Sequence, residues 1–190
     1  MTPTLTTATP HQRTGPAPLN VGFLTVLHEA SGYLGSYLVT NTWGRPLEFR
    51  LSSAVQPNRV QQILYGGTLQ AYVCAELIGK TLVEKAGTPA QLLVTDQEHV
   101  LELRPRVEVP VLWLAAADDP RGQRLAALGT AVAPAAQGRG PLLRHPSYPG
   151  DEAAARELLA RLDAGLDLAE PFARIREAIG EARKLGVTSR

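Results

Sequence analysis

Metal-capable side chains cluster at two places in this chain, His28-Glu29 and Asp96-x-Glu98-His99. Imidazole and carboxylate groups from the two stretches would hold a divalent cation if the turns met in space. Neither spacing matches HExxH or an EF-hand loop, so polar residues that end strands and fill turns are the simpler reading. Tyr65-Gly66-Gly67-Thr68 ahead of a helix would offer backbone N–H groups to an anion. It lacks the phosphate-loop lysine and follows no strand, and a helix break explains it as well. Arg139 and Arg144, with His145 nearby, would contact the phosphates of nucleic acid such as RNA, or another acidic partner. Only Tyr148 accompanies them as a stacking surface, and a solvated linker is the plainer account. Cys74 lies between Val73 and Ala75 on an apolar stretch and reads as a buried, inert thiol. No nucleophile–base pair or ligand set is complete, so no catalytic, cofactor-binding or metal-binding residue is assigned.

Other side chains suit contact rather than chemistry. Trp43 stands in the turn Asn41-Thr42-Trp43-Gly44-Arg45-Pro46, where a large exposed ring would anchor a partner or fold over the sheet edge. Leu158, Leu159, Leu162 and Leu166 make one apolar stripe near the C-terminus, and Phe172, Ile175 and Ile179 make a second, divided by Pro171. Two short helices carrying such stripes must bury them on the open face of a sheet or on another protein. The expected partner-binding set is therefore Trp43, Leu158, Leu162, Phe172, Ile175 and Ile179.

The elements that would position these residues follow from periodicity. Val21–Leu27 is apolar on both faces, as a central strand would be. Tyr33–Thr40 continues an extended pattern, and Leu47, Phe49 and Leu51 alternate with Glu48, Arg50 and Ser52. Pro57 opens a helix whose apolar stripe is Val60, Ile63 and Leu64, and Gly66-Gly67 ends it. A long helix over Thr68–Ala86 follows, stopped by Gly87 and Pro89. Leu92–Thr95, Val100–Arg104 and Val107–Leu114 read as three more strands. With the two most apolar runs side by side, the order is near 3-2-1-6-5-4. The fold class is thus α+β: a mainly antiparallel five- or six-stranded sheet, one long helix on a face, and a C-terminal helical pair.

The hairpin Leu38-Val39-Thr40-Asn41-Thr42-Trp43-Gly44-Arg45-Pro46-Leu47, followed by a long helix, resembles the roadblock and longin type of α/β module in layout over about residues 33–128. The chain departs from the roadblock pattern by opening with a strand and by adding a helical tail of some forty residues. The resemblance implies a non-catalytic dimerising or scaffold module and carries over no ligand-binding residues. Asp96 followed by Glu102-Leu103-Arg104 is similar to the acidic core of restriction-type nucleases, which hold a metal between Asp and Glu on adjacent strands. Arg104 stands where those sites have lysine and does not readily exchange a proton.

Composition bounds these readings. The chain has 190 residues, is 44% hydrophobic and 19% charged, and carries a formal charge of +1. That balance gives no broad attraction to nucleic acid or anionic membrane. A single cysteine excludes an intramolecular disulfide. No run reaches eighteen apolar residues and no secretory leader is visible, so a cytoplasmic protein without membrane association is expected. The organisation expected is a flexible arm over 1–18, a core over 19–128, a Pro/Gly-rich linker over 129–150 and amphipathic helices over 151–190. The function expected is a non-enzymatic interaction or scaffold subunit with a homo- or hetero-oligomeric protein partner. The alternative is a small metal-dependent nuclease or hydrolase on the acidic turns around Asp96 and Glu102.

Overall fold

A computed structural model describes residues 18–133 and 140–184. Strands β1 (Asn20–Glu29), β2 (Gly32–Asn41) and β3 (Pro46–Leu51) form the expected meander, each antiparallel to the next. β2 is buried along nearly its whole length and β3 is the exposed edge. The β1–β2 turn depends on Gly32, whose φ of +110° suits only glycine, and a Cβ there would sit 2.5 Å from the Val55 carbonyl oxygen.

Asn58 starts helix α1 (Arg59–Tyr65) with a capping box. Its side chain accepts from the Gln61 N–H, and the Gln61 side chain accepts from the Asn58 N–H. A 3-10 turn at Gly66–Thr68 interrupts the chain where the glycine pair predicts a break. The long helix α2 then runs over residues 69–84. It is α-helical at Leu69–Ala71 and Lys80–Glu84 and π-helical at Tyr72–Gly79 between them. Val73, Cys74, Ala75, Ile78 and Leu82 are buried against one face of the sheet.

The sheet has seven strands, not five or six, in the order β3-β2-β1-β4-β5-β7-β6. These add β4 (Leu92–Thr95), β5 (Val111–Leu114), β6 (Ala131–Ala133) and β7 (Leu142–Arg144). The β1–β4 and β4–β5 pairs are parallel; the remaining neighbours are antiparallel. The expected order placed the first strand beside the last. Instead β4 is inserted between them, because a helical crossing returns the chain to the end where the preceding strand began.

A second correction concerns residues 100–104. They belong to a 3-10 helix, Glu98–Arg106, rather than a strand. Val100 and Leu103, three residues apart, are both buried and share a 3-10 face, and Leu101 is buried beside them. Pro105 would have left a gap in any strand ladder. β5 is correspondingly shorter than the expected run from Val107.

The third correction concerns the linker. Residues 129–150 supply β6 and β7, two sheet strands, while Pro134 to Gln137 and the neighbouring Gly138 and Arg139 lie outside the described residues, as does the arm over 1–17. Helix α3 (Pro120–Leu125) precedes them, with Asp119 accepting from the N–H groups of Arg121 and Gly122 at its start.

The tail completes the domain. Helices α4 (Asp151–Ala160) and α5 (Glu170–Lys184) cover the face of the sheet opposite α2. Phe172, Ile175 and Ile179 are buried among Val21, Phe23, Leu34, Leu38, Leu92 and Val94. Phe172 meets Phe23 edge-on, with ring centroids 5.6 Å apart. Asp151, the first residue of α4, takes both arms of the Arg104 guanidinium, at 2.6 Å and 2.9 Å. Both side chains are largely buried, at 14% and 8% exposure, and the Tyr148 ring lies 4.3 Å beneath the guanidinium carbon. Among the described residues, no helix is long and apolar enough to cross a membrane.

Candidate functional site

Because β1, β4 and β5 run parallel, their carboxyl ends open on the same side of the sheet. The segments that leave them carry the two polar clusters singled out in the sequence. His28 lies one residue before the end of β1, Asp96–His99 follow β4, and Asp119 to Arg124, after β5, cap and form most of α3. His28, Asp96 to His99, Asp119, Pro120, Arg121 and Arg124 border one cleft of about 660 Å³, also lined by Val26, Tyr33, Cys74 and Trp113. The two turns therefore meet, as the metal reading required. Among the described residues, however, no three His, Cys, Asp or Glu side chains are grouped to hold a metal ion.

Their partners explain why. Asp96 is only 15% exposed and pairs with Arg176 of α5. Burial pushes its carboxyl above the usual carboxylate range, against the opposing pull of the Arg176 guanidinium. Its Oδ1 and the Thr25 hydroxyl are both buried without a hydrogen-bond partner. Glu98 is held by Arg121 at 2.7 Å. Glu102 is not on a strand beside Asp96; it lies on the 3-10 helix, 3.6 Å from His145. The Asp–Glu arrangement on adjacent strands that the nuclease alternative needs is therefore missing.

Cys74 is 4% exposed, and burial pushes its thiol up to about 12. Such a thiol stays protonated and unreactive at neutral pH. Arg144, expected on a solvated linker, is buried and structural: it donates to the Gly129, His145 and Pro146 carbonyls. Arg139 lies outside the described residues.

The contact set divides. Phe172, Ile175 and Ile179 are consumed by the core, and Leu158 and Leu162 pack half-buried against it. A partner cannot reach the first three without opening the domain, while Leu158 and Leu162 keep part of their surface in solvent. Trp43 is the exception, 74% exposed at the tip of the β2–β3 turn, with Leu47 and Phe49 partly exposed further along β3. The most exposed apolar face was not among the expected contact residues. Val60, Ile63 and Leu64 of α1 are 64%, 65% and 77% exposed, and α1 buries no residue at all. Their i, i+3, i+4 spacing was legible as one face. Periodicity alone does not say whether that face turns inward.

α1 is also close to the cleft. Gln62 of α1 shares a small hollow with His28 and Tyr33, and Tyr65 shares another with His99. The cleft and the apolar helix thus occupy the same end of the molecule. No family model matches this chain, and no curated protein matches it.

Proposed function

We propose that this protein is a non-enzymatic interaction subunit that docks on a partner protein through the apolar face of α1. The observation that carries the reading is the exposure of Val60, Ile63 and Leu64 together on a helix with no buried residue. A seven-residue helix has little stability of its own, and three large apolar side chains in water add nothing to the fold that holds it. Buried in the groove of a partner, each would be worth roughly 1.5–3 kcal/mol. The i, i+3, i+4 pattern is the one used when a helix lies in an apolar groove. The edge around Trp43, Leu47 and Phe49 supplies a second apolar contact on a different side of the sheet. A scaffold or dimerising role, as the roadblock- and longin-like layout implies, agrees with this reading.

The test compares the tagged native protein with an Ile63→Asp/Leu64→Asp variant. Both are followed by co-purification from the source cell and by sedimentation of the purified chain. The wild type is expected in an assembly larger than 20.4 kDa. The variant should fall to the monomer with thermal unfolding nearly unchanged, since exposed positions contribute little to folding. Assembly by purified protein alone identifies a second copy as the partner; assembly only in the cell identifies a different protein. A wild type that is monomeric in both settings, or a variant that assembles as well as wild type, ends the proposal.

A further inference from the structure

We infer that the cleft at the carboxyl ends of β1, β4 and β5 binds a small planar anion: an aromatic ring bearing a carboxylate or phosphate. Such binding does not depend on docking by α1. Side chains from several separate segments converge where parallel strands end, the general place for ligands in sheets with helical crossings. The volume, about 660 Å³, suits a ligand of this class. Part of the wall is the π-helical stretch of α2, at Cys74, and such stretches often mark functional sites.

Charge decides the sign of the ligand. The three acids on the cleft are already committed. Glu98 pairs with Arg121, Asp96 pairs with Arg176, and Asp119 caps α3 through two backbone N–H groups. Arg124 on the same cleft has no hydrogen bond or ion pair among the described residues. A cationic ligand would meet carboxylates whose charge is already offset by Arg121, by Arg176 or by the start of α3. An anion finds a free guanidinium waiting, with the His99 imidazole on the same wall.

Ring stacking decides the shape. His28 lies flat on Tyr33, centroids 4.1 Å apart and planes 12° from parallel. Tyr33 is buried while His28 is exposed and borders the cleft, so the imidazole is the accessible member of the pair. An aromatic ring stacking there extends an existing pair, a contact that saturated anions cannot make.

The experiment is a titration of ¹⁵N-labelled full-length protein, following backbone amides by NMR. The probes are adenosine monophosphate, benzoate, inorganic phosphate and benzylamine. Saturable shifts at residues 26–28, 96–99 and 119–124 are expected with adenosine monophosphate or benzoate. Which of the two binds more tightly separates a nucleotide-like ligand from an aromatic acid. Phosphate and benzylamine should give no saturable shift at the same concentration. Arg124→Gln and His28→Ala should each weaken binding about tenfold, a loss typical of one charged hydrogen bond or one stacking partner. Arg124 is exposed and has no partner among the described residues, so its variant should unfold at the wild-type temperature, and Arg124→Lys should restore part of the affinity. Equal shifts with benzylamine, shifts with phosphate alone, no saturation with either aromatic anion, or unchanged affinity in both variants would each overturn the inference.

Discussion

Replacing Phe172 with alanine tests whether α5 is a true layer of the domain. The side chain is 1% exposed, edge-on to Phe23, and packed among residues of β1, β2 and β4. Removing a buried phenyl ring leaves a cavity as well as losing transfer free energy, and such truncations cost about 3–5 kcal/mol. With a urea dependence near ~2 kcal/mol per molar, the unfolding midpoint should fall by roughly 1.5–2.5 M. The assay is equilibrium urea denaturation followed by far-ultraviolet circular dichroism and by tryptophan fluorescence. Both probes should report one transition, because Trp113 lies within the sheet that α5 covers. Glu177→Ala, on the exposed side of the same helix, controls for helix propensity and should shift the midpoint little. A Phe172→Ala loss below about 1 kcal/mol would show that α5 does not bury its stripe on the sheet. Two separated transitions, with the core retained after the helix melts, would refute the reasoning in the same way. Deletion of 151–190 should accordingly expose the sheet face and unfold the core.

Three further outcomes follow from single sites. The Glu48 carboxyl falls from an ordinary 4.5 to about 2, chiefly because the Gly87 N–H and the Arg50 guanidinium, with the Thr88 N–H, bond its charged form. A lowered folded-state value means its contribution is complete above 4.5 and disappears as pH falls toward 2; Glu48→Gln should flatten stability against pH across that window and little above it. Urea midpoints collected through the acid range check this, and parallel slopes for the two proteins would count against the assignment. Cys74 should resist Ellman's reagent at mildly alkaline pH in the native protein and react in guanidinium, since its thiol is buried and raised to about 12; prompt native reaction would contradict the packing. Gly35→Ala should destabilise by about 1–3 kcal/mol, because its Cβ would lie 2.0 Å from the Ile78 side chain of α2; an unchanged melting temperature would place α2 further from β2.

What could be read from the sequence was whatever depends on local pattern. The β1–β2–β3 meander, the break at Gly66-Gly67 and the extent of α2 are set by alternation, turn residues and helical spacing within a few residues. Strand direction and order depend on where a crossing segment returns, and no local pattern carries that. Val100–Arg104 shows the same limit on a smaller scale. Five residues with apolar groups at 101 and 103 fit a strand, yet burial of Val100, Leu101 and Leu103 together fits a 3-10 helix. Pro105 was the one local sign pointing to the helix. Short strands with little sequence of their own, β6 and β7, vanish into a glycine- and proline-rich stretch because three residues each give no period to count.

The same distinction explains how far the sites were legible. His28, Asp96, Glu98 and His99 were recognisable as chemistry-bearing residues from type alone, and parallel pairing is what brings the two turns together. Their roles depend on partners distant in sequence: Arg176 is 80 residues from Asp96, and Arg121 is 23 from Glu98. Those pairings turn an apparent ligand cluster into a cleft whose acids are spent and whose spare charge is positive. The apolar stripes exchanged meaning in a similar way. The one on α5 had the stronger pattern and is buried in its own domain, whereas the weaker one on α1 remains in water. A longer stripe buries more area and wins the sheet face. A seven-residue helix held between Pro57 and Gly66 cannot compete for that face, and its apolar residues are left for whatever meets the carboxyl end of the sheet.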